Sequence, residues 1–398
     1  MARPAVIIAT RRPPLPLDNG ARIRTHRLAT GLSTTCDVTL VTYEDGPTYD
    51  DTRATRAELE AALGDVRLEL VPYGRRPPRG PRRHALHPSS ATFGHFGSAG
   101  MEAALARLTA GGPAVLHLDD PGVGLAGLRV PAAVKAFAPH NIEYRIVRDV
   151  ARERGPAHRI PLELEWRKIR AEERRLYRAS DICLAVSDVD AAEMRANGAA
   201  RVELVPNGAD PASAAPWRPP AAGEPLRLLF VGTVDYWPYE LGIAWFVREA
   251  MPLLRAQGPV AFDVVGAPPP DPVRAPDVVY HGRVADVHPF YDAAHALVVP
   301  VFQGSGTRLK VIEAAVLGRP VVSTALGAEG LSLDPGRHYL RAEDAAGFAQ
   351  AAQALRTQPG QVAELIAAAG DGLGDLLWPR ITEKLAGLYV DALAQAAP

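Results

Sequence analysis

Short apolar runs alternate with amphipathic segments of helical length along most of the chain. Short runs bounded by turn residues are typical of buried strands, and the segments between them are typical of crossover helices. The strand candidates of the first half are Ala5–Thr10, Val38–Tyr43, Arg67–Val71, Ala114–Leu118, Val134–Ala138, Ile182–Val186 and Val202–Val205. Those of the second half are Leu226–Val231, Phe262–Val265, Val278–His281, Leu297–Val301 and Pro320–Thr324. This alternation predicts an α/β fold with parallel sheets.

A segment rich in proline and alanine separates the two series of strand candidates. It runs from Pro206 to Pro225 and begins with the residues Pro-Asn-Gly-Ala-Asp. Such a composition is typical of a linker between domains. The pattern therefore predicts two doubly wound units, one on each side of the linker.

Two segments of the first half depart from this pattern. Residues Pro72–Gly97 are rich in proline and arginine and have no period, which favours a solvated loop. A lid, or a contact with an anionic acceptor or lipid surface, is the alternative. The charged helix predicted over Pro161–Tyr177 carries Leu162, Trp166 and Ile169 on one face. Packing of that face on its domain is favoured over a position in a membrane interface.

Composition narrows the class of protein. The 398 residues carry a formal net charge of −1, so the chain as a whole is not attracted to nucleic acid. Two cysteines, Cys36 and Cys183, exclude a disulfide scaffold and a cysteine-based zinc site, and both are expected to be buried thiols. The sequence has no signal-peptide pattern and no apolar run long enough to span a membrane. We therefore expect a cytoplasmic enzyme, with peripheral membrane contact and the oligomeric state left open.

The most informative segment follows the strand candidate Leu297–Val301. A turn with Gly304 and Gly306 comes next, and then a helix is predicted over Thr307–Leu317. A strand, a glycine loop and a helix start together present backbone N–H groups and the positive end of a helix dipole to an anion. The segment therefore predicts an anion-binding site.

Two cations stand at the start of this helix. Arg308 and Lys310 are both predicted to lie in its first turn, where positive charge meets the positive end of the dipole. A bound phosphate would resolve that conflict, because it would place negative charge between the cations and the helix end.

Glu313 borders the apolar stripe formed by Leu309, Ile312 and Val316 on the same helix. Two interpretations remain open at this point. Glu313 forms a weak i,i+3 pair with Lys310, or its carboxylate accepts hydrogen bonds from two sugar hydroxyls.

The run Gly-x-Gly-x-Arg-Leu-Lys-Val-Ile-Glu-Ala, followed by Gly-Arg-Pro-Val-Val-Ser-Thr, resembles the nucleotide-sugar site of the retaining GT-B glycosyltransferases of family 4, the group 1 glycosyltransferases. The resemblance implies two Rossmann-like doubly wound domains that face each other across a cleft. Residues 1–210 would bind the acceptor and residues 211–379 the nucleotide sugar, and the last helix, 380–398, would pack back on the first domain. It also implies a retaining reaction without a metal ion or other cofactor, in which the leaving phosphate takes the proton of the acceptor.

The same resemblance implies roles for individual residues. In the family this helix start binds the donor diphosphate and the glutamate at its middle binds the ribose, which here is Glu313. Many members carry a second glutamate that contacts the donor sugar. This chain has Ser305 at that position, so the identity of the sugar stays open.

Many members also carry an arginine and a lysine beyond the first strand of the second domain, whereas this chain has Asp-Tyr-Trp-Pro-Tyr-Glu there. Arg308 and Lys310 would then supply most of the charge that stabilises the leaving diphosphate. The donor-binding residues implied are Gly20, Gly232, Arg283, Val284, Gly304, Ser305, Gly306, Thr307 and Glu313.

In the first half, ligands are expected beyond the carboxyl ends of the strands. A histidine after a strand is more often structural, but His-Asn-x-Glu at His140 resembles a family motif whose histidine faces the reacting sugar. We therefore expect His140 to act in catalysis beside Arg308 and Lys310, and to approach Gly306. The acceptor-binding residues expected are Asn19, Arg24 and Asn141. Ser187 is better explained as the N-cap of the next helix.

Other classes of protein fit the sequence less well. A nicotinamide-dependent dehydrogenase needs Gly-x-Gly-x-x-Gly directly after its first strand, whereas Arg-Arg-Pro-Pro follows Thr10, and no Walker motif is present. The aspartates and histidines are scattered, so no metal site is expected. The expected reaction transfers a sugar from a nucleotide sugar to a hydroxyl of a glycan, a lipid-linked saccharide or a natural product. A GT-B-fold nucleotide-sugar epimerase, or a binding partner that has lost activity, is the alternative.

Overall fold

The structure is a computed structural model, and it describes residues 3–44, 54–73, 87–94, 96, 98–153, 156–212, 214–304 and 307–396. The chain forms two compact units. Unit 1 comprises Met1–Leu17, Ala21–Pro206 and Pro379–Pro398, and unit 2 comprises Asp18–Gly20 and Asn207–Trp378.

Unit 1 is built on a parallel sheet. Its strands are β1 (Ala5–Ala9), β2 (Asp37–Tyr43), β3 (Arg67–Val71), β4 (Ala114–Leu118), β5 (Val134–Phe137), β6 (Ile182–Ala185) and β7 (Val202–Leu204). They lie side by side in the order β3-β2-β1-β4-β5-β6-β7, and every pair is parallel. The helices are α1 (Gly20–Leu32), α2 (Arg56–Leu63), α3 (Ala99–Thr109), α4 (Pro121–Gly127), α5 (Glu143–Glu153), α6 (Pro156–Ala179) and α7 (Asp188–Ala196).

Unit 2 repeats the same plan with a second parallel sheet. Its strands are β8 (Leu226–Val231), β9 (Val260–Val265), β10 (Val278–Gly282), β11 (Ala296–Val299), β12 (Val321–Ser323) and β13 (Leu340–Arg341). Their order is β10-β9-β8-β11-β12-β13. The helices are α8 (Trp237–Trp245), α9 (Met251–Gln257), α10 (His288–Ala293), α11 (Leu309–Val316), α12 (Ala345–Thr357) and α13 (Pro359–Gly372), with a π turn at Phe246–Ala250 and a 3₁₀ turn at Leu326–Ala328. The last helix, α14 (Trp378–Ala396), lies almost entirely in unit 1.

The predicted pair of Rossmann-like units is confirmed. In each sheet the strand order reverses between the first and fourth strands of the unit, which are β1 and β4 in unit 1 and β8 and β11 in unit 2. In such sheets, ligands bind beyond the carboxyl ends of the strands at this reversal. The topology therefore singles out one position in each unit for functional residues.

All the strand candidates are strands in the structure, with ends that differ by a residue or two. The two-residue β13 was not predicted, because it is too short to show a pattern. The helix predicted from Thr307 begins instead at Leu309, since the backbone of Arg308 is extended, with φ −96° and ψ 98°. Ser187 is the N-cap of α7 as predicted, with its Oγ accepting from the N–H of Asp190 at 3.1 Å. Cys36 and Cys183 are buried free thiols, also as predicted.

Helix α6 packs on unit 1 as predicted, but through carboxylates as well as its apolar face. Ile169 is fully buried and Trp166 packs against the core. Beside them, Glu165 accepts from the backbone N–H of Thr92 at 2.9 Å. Glu173 is fully buried and accepts from the backbone N–H groups of Glu143 and Tyr144, at 3.0 and 3.2 Å. These bonds hold the first turn of α5, whose own N–H groups have no partners within the helix.

No helix in the described ranges is both long enough and apolar enough to cross a bilayer.

We expect Glu173 to make the stability of the protein depend on pH. Burial and then the charge of Glu143 raise the pKa of Glu173 to about 8, from an ordinary value of 4.5. Because the folded-state pKa is the higher one, the stabilisation is fully present below the unfolded-state pKa and is lost as pH rises toward 8. The shift corresponds to a loss of up to about 5 kcal/mol in the free energy of unfolding.

Chemical denaturation between about pH 5 and pH 8 tests this. Glu173→Gln should remove most of the slope in this window. Glu163→Gln is the matched control on the same helix, since the pKa of Glu163 is lowered and it stays ionised throughout. An unchanged slope in Glu173→Gln would contradict the assignment.

Candidate active site

The ammonium of Lys310 lies at the strand-order reversal of unit 2. Its Nζ is 3.7 Å from the ring centroid of Phe230, in β8, and 3.8 Å from that of Tyr239, in α8. Lys310 is buried, and its Nζ has no hydrogen-bond partner among the described residues. Burial, together with the charge of Arg308, lowers the pKa of Lys310 well below its ordinary value. Two aromatic faces stabilise this cation, but they do not replace the hydrogen bonds that water would give it.

Gly232, at the end of β8, leaves the space that Lys310 occupies. Its φ is 146°, a conformation that other residues rarely adopt, and a Cβ there would lie 2.6 Å from the Nζ of Lys310. The carbonyl group of Gly232 lies still closer to Gly266, where a Cβ would be 1.8 Å from the carbonyl oxygen. Glycine at position 232 therefore lets the ammonium approach the backbone end of the strand.

Arg308 is the N-cap residue of α11 and is only 4% exposed. It precedes the helix rather than lying in its first turn, so only Lys310 has the predicted first-turn position. Gly304 has a φ of 108°, as a tight turn before the helix requires. Thr307 is fixed through its Oγ1, which accepts from the Nδ2 of Asn207 at 2.7 Å. Ser305 and Gly306 lie outside the described residues, and so does the predicted approach of His140 to Gly306.

Glu313 does not form the i,i+3 pair with Lys310 that was one of its two interpretations. Its Oε2 instead accepts from the hydroxyl of Tyr291 in α10, at 3.1 Å. Burial raises the pKa of Glu313, and the hydrogen bond from Tyr291 and the charge of Lys310 offset part of that rise. Tyr291 was not predicted, because the sequence does not show that α10 packs against α11.

The remaining donor-site candidates are spread over unit 2. Arg283 follows β10, and its Nη2 lies 3.5 Å from a carboxylate oxygen of Asp18. Val284 packs against an apolar cluster of the same unit. Gly20 is grouped with unit 2, and so is Asn19, which was expected to bind the acceptor; the Nδ2 of Asn19 donates to Asp18 at 3.0 Å.

Unit 1 carries a buried polar cluster at its own strand-order reversal. Asp119, directly after β4, is fully buried. One of its carboxylate oxygens lies 3.2 Å from the Nε2 of His140 and also accepts from the hydroxyl of Thr25. The other lies 3.5 Å from the Nε2 of His117, whose Nδ1 is 2.6 Å from the hydroxyl of Tyr389 in α14. The structure therefore places His140 against a buried carboxylate that also accepts from Thr25, with His117 and Tyr389 close by.

Burial alone would raise the pKa of Asp119, but His140 and His117 outweigh that effect and hold it below its ordinary value. Asp119 is therefore a carboxylate at neutral pH. Sequence reasoning missed it, although the rule that selected His140 applies equally to a residue directly after β4.

The other two candidates of unit 1, Arg24 and Asn141, lie outside the contacts of Asp119 described above. Arg24 was expected to bind the acceptor, but it is 1% exposed and its guanidinium donates to the backbone carbonyls of Val205 and Pro206, at 2.7 and 2.9 Å. Burial lowers its pKa to about 10. These bonds account for its burial without a ligand. Asn141 is half-buried beside His140, and its contact with an acceptor stays a prediction.

No three histidine, cysteine, aspartate or glutamate side chains within the described part of the chain are arranged to hold a metal ion.

Comparison with known proteins gives the family. Residues 18–213 match the model described as Glycosyltransferase Family 4, and residues 225–358 match the model described as Glycosyl transferases group 1. The two matches cover most of both units. The chain therefore belongs to the family 4, group 1 glycosyltransferases. None of the curated proteins is similar enough in sequence to count as a match.

Solved structures share the fold over nearly the whole chain. Sucrose-phosphate synthase from Thermosynechococcus elongatus is 19% identical, with a TM-score of 0.70 over 99% of this chain and 100% of that chain. HepE from Anabaena, solved with UDP and glucose, is 13% identical, with a TM-score of 0.65 over 97% and 99%. WaaG, a glycosyltransferase involved in lipopolysaccharide biosynthesis, is 16% identical, with a TM-score of 0.62 over 96% and 99%. At these identities the likeness establishes the GT-B fold.

We expect Lys310→Met to leave the ligand-free protein equally stable or to stabilise it by up to ~2 kcal/mol. The change removes a buried charge without hydrogen bonds and keeps most of the side-chain volume, while losing the contact with the two rings. Denaturant unfolding at neutral pH is the measurement.

Arg319→Met is the matched control in unit 2. Arg319 is as buried as Lys310, but its guanidinium donates to the carbonyls of Tyr291 and Ala215 and to Asp292, at 2.6, 2.8 and 3.1 Å. Its loss should lower the free energy of unfolding by ~3 kcal/mol. If Lys310→Met destabilises the protein as strongly, Lys310 serves the fold and not a ligand.

Proposed function

We propose that the protein is a retaining, metal-independent glycosyltransferase that moves a sugar from a nucleoside-diphosphate sugar to a hydroxyl acceptor. The observation that carries this proposal is the buried ammonium of Lys310. It lies at the ligand position of a doubly wound sheet, beside the buried guanidinium of Arg308, and lacks hydrogen-bonding partners among the described residues. A diphosphate would supply both the acceptors and the negative charge.

The donor is proposed to bind in unit 2. Its diphosphate would contact Arg308, Lys310 and the N–H groups at the start of α11, and its ribose would bind Glu313. The oxygen of Glu313 that Tyr291 contacts is held in place, which leaves the other free to accept from a hydroxyl. The solved complexes of HepE with UDP and with UDP-glucose support a donor of this chemical class.

Catalysis is proposed to be electrostatic. As the sugar–phosphate bond breaks, positive charge grows at the anomeric carbon and negative charge grows on the diphosphate. Arg308 and Lys310 stabilise the second charge, and they would do so in place of a metal ion. The leaving phosphate then takes the proton of the acceptor hydroxyl on the same face, so the anomeric configuration is retained. His140 is proposed to contact the reacting sugar from unit 1.

Calorimetric titration with UDP and a panel of nucleotide sugars tests donor binding, and a transfer assay with hydroxylated acceptors tests turnover. The coupling of the anomeric proton in the product distinguishes retention from inversion. An epimerised nucleotide sugar would identify the protein as an epimerase. Binding without any turnover would identify it as a partner that has lost activity.

Arg308→Ala should cost ~3 kcal/mol of transition-state stabilisation, like the loss of one oxyanion donor, and so lower kcat by about 100-fold. Arg337→Ala is the control, because Arg337 is an exposed residue of unit 2 that pairs only with Asp334 among the described residues. Turnover of Arg308→Ala equal to that of the control would refute the role.

Glu313→Gln should weaken UDP binding by about 10-fold, because a neutral amide forms weaker hydrogen bonds with hydroxyls than a carboxylate does. His140→Ala should leave UDP binding unchanged and lower sugar transfer. Calorimetry beside a transfer assay measures both variants. Loss of UDP binding in His140→Ala, with normal transfer by the remaining complex, would show that the roles of the two units are assigned wrongly.

A further inference from the structure

The imidazole of His140 is held by only one of its nitrogens. Its Nε2 lies 3.2 Å from the carboxylate of Asp119, whereas its Nδ1 is buried and has no hydrogen-bond partner among the described residues. The side chain is 15% exposed. The Nε2 of His140 therefore contacts the protein, whereas its Nδ1 has no hydrogen bond within the described residues.

The carboxylate that holds His140 is itself held by a hydroxyl of α1 and lies near a second histidine. The hydroxyl of Thr25, in α1, donates to the oxygen that faces His140. The Nε2 of His117, in β4, lies 3.5 Å from the other oxygen. Asp119 is fully buried, so solvent does not reorient it. Its position and direction are set by elements that do not include the His140 loop.

The chemistry of these groups determines which nitrogen carries the proton. An ionised carboxylate only accepts hydrogen bonds, so the Nε2 of a neutral His140 must be the donor. His117 lies near the other oxygen of Asp119, at 3.5 Å, and its Nδ1 is 2.6 Å from the hydroxyl of Tyr389.

We propose that Asp119 is a positioning residue that holds His140 in its Nε2–H tautomer and leaves Nδ1 as an unprotonated acceptor for a hydroxyl of the sugar substrate. This inference rests on the proposed function for the identity of the hydroxyl. The tautomer itself follows from the contacts within unit 1. With the opposite tautomer, a lone pair would face the carboxylate and the substrate would meet an N–H instead of an acceptor.

The test is the tautomer of His140 in the full chain labelled with ¹⁵N-histidine, read from two-bond ¹H–¹⁵N correlations above about pH 8, where an ordinary imidazole is neutral. The signals of His140 are assigned by their loss in His140→Ala. In the wild-type protein we expect a protonated Nε2 and a bare Nδ1. In Asp119→Asn the amide can donate as well as accept, so the Nε2–H form should no longer dominate.

Asp119→Asn should also lower sugar transfer by about 100-fold, since a misplaced group near the chemistry costs on that order, while UDP affinity stays unchanged. Asp120→Asn is the matched control. Asp120 is the next carboxylate along the chain, but it caps α4 at the N–H of Gly122 and accepts from the N–H of Arg11. Within the described part of the chain it forms no hydrogen bond or ion pair with His140, and its amide variant can still cap the helix, so the variant should keep the wild-type tautomer and rate.

A protonated Nδ1 in the wild-type protein would overturn the inference, and this measurement needs no Asp119 variant, only His140→Ala for the assignment. An unaltered His140 spectrum in Asp119→Asn would overturn it equally. If the spectra behave as expected while no nucleotide sugar is turned over, the proposed function fails and the positioning role stands.

Discussion

Charge that is buried at the carboxyl end of a parallel sheet is the constraint on which both units depend. A doubly wound sheet surrounds its strand ends with apolar layers, and there an ionised group loses its water. The protein responds in two ways. In unit 1 one oxygen of Asp119 accepts from Thr25 and lies 3.2 Å from the Nε2 of His140, and in unit 2 the ammonium of Lys310 lies over two aromatic rings.

These two solutions have different consequences. The oxygen of Asp119 that faces His140 also accepts from Thr25, so Asp119 can hold another residue in a defined position without any ligand. Two π faces and the charge of Glu313 favour the ammonium of Lys310, but its donors have no hydrogen-bond acceptor among the described residues. The site around Lys310 is therefore suited to an anion, which would accept the hydrogen bonds that the described residues do not. Structural cations of the same unit, such as Arg319, instead have their donors taken up by carbonyls and a carboxylate.

Helix α6 stabilises the segment of unit 1 that carries His140. The buried carboxylate of Glu173 accepts from the N–H groups that open α5, the helix that follows the His140 loop. The loop is thus held at its helix end by Glu173 and at its histidine by Asp119. Two buried acids therefore hold the same segment. Glu173, which is mostly protonated at neutral pH, binds its backbone, and Asp119, which is ionised, contacts the side chain of His140.

The sequence by itself determined the fold class, the strands and the helix of the candidate donor site. Those features follow from local periodicity and from a strand–glycine–helix run whose residues are neighbours in the chain. It also singled out His140 in a loop that follows a strand, Arg308 and Lys310 at a helix start, and Glu313 beside the apolar stripe of the same helix.

Only the tertiary structure decided what these residues contact. The partners of His140 come from α1, β4 and, through His117, α14, and those of Lys310 come from β8 and α8. Asp119, Tyr389, Tyr291 and Tyr239 carry no local pattern that separates them from ordinary core residues. Arg24 shows the converse, since an arginine near a candidate loop proved to bind carbonyls nearly two hundred residues away. Periodicity reports which face of an element is buried, whereas hydrogen bonds and cation–π contacts depend on side-chain distances that packing alone sets.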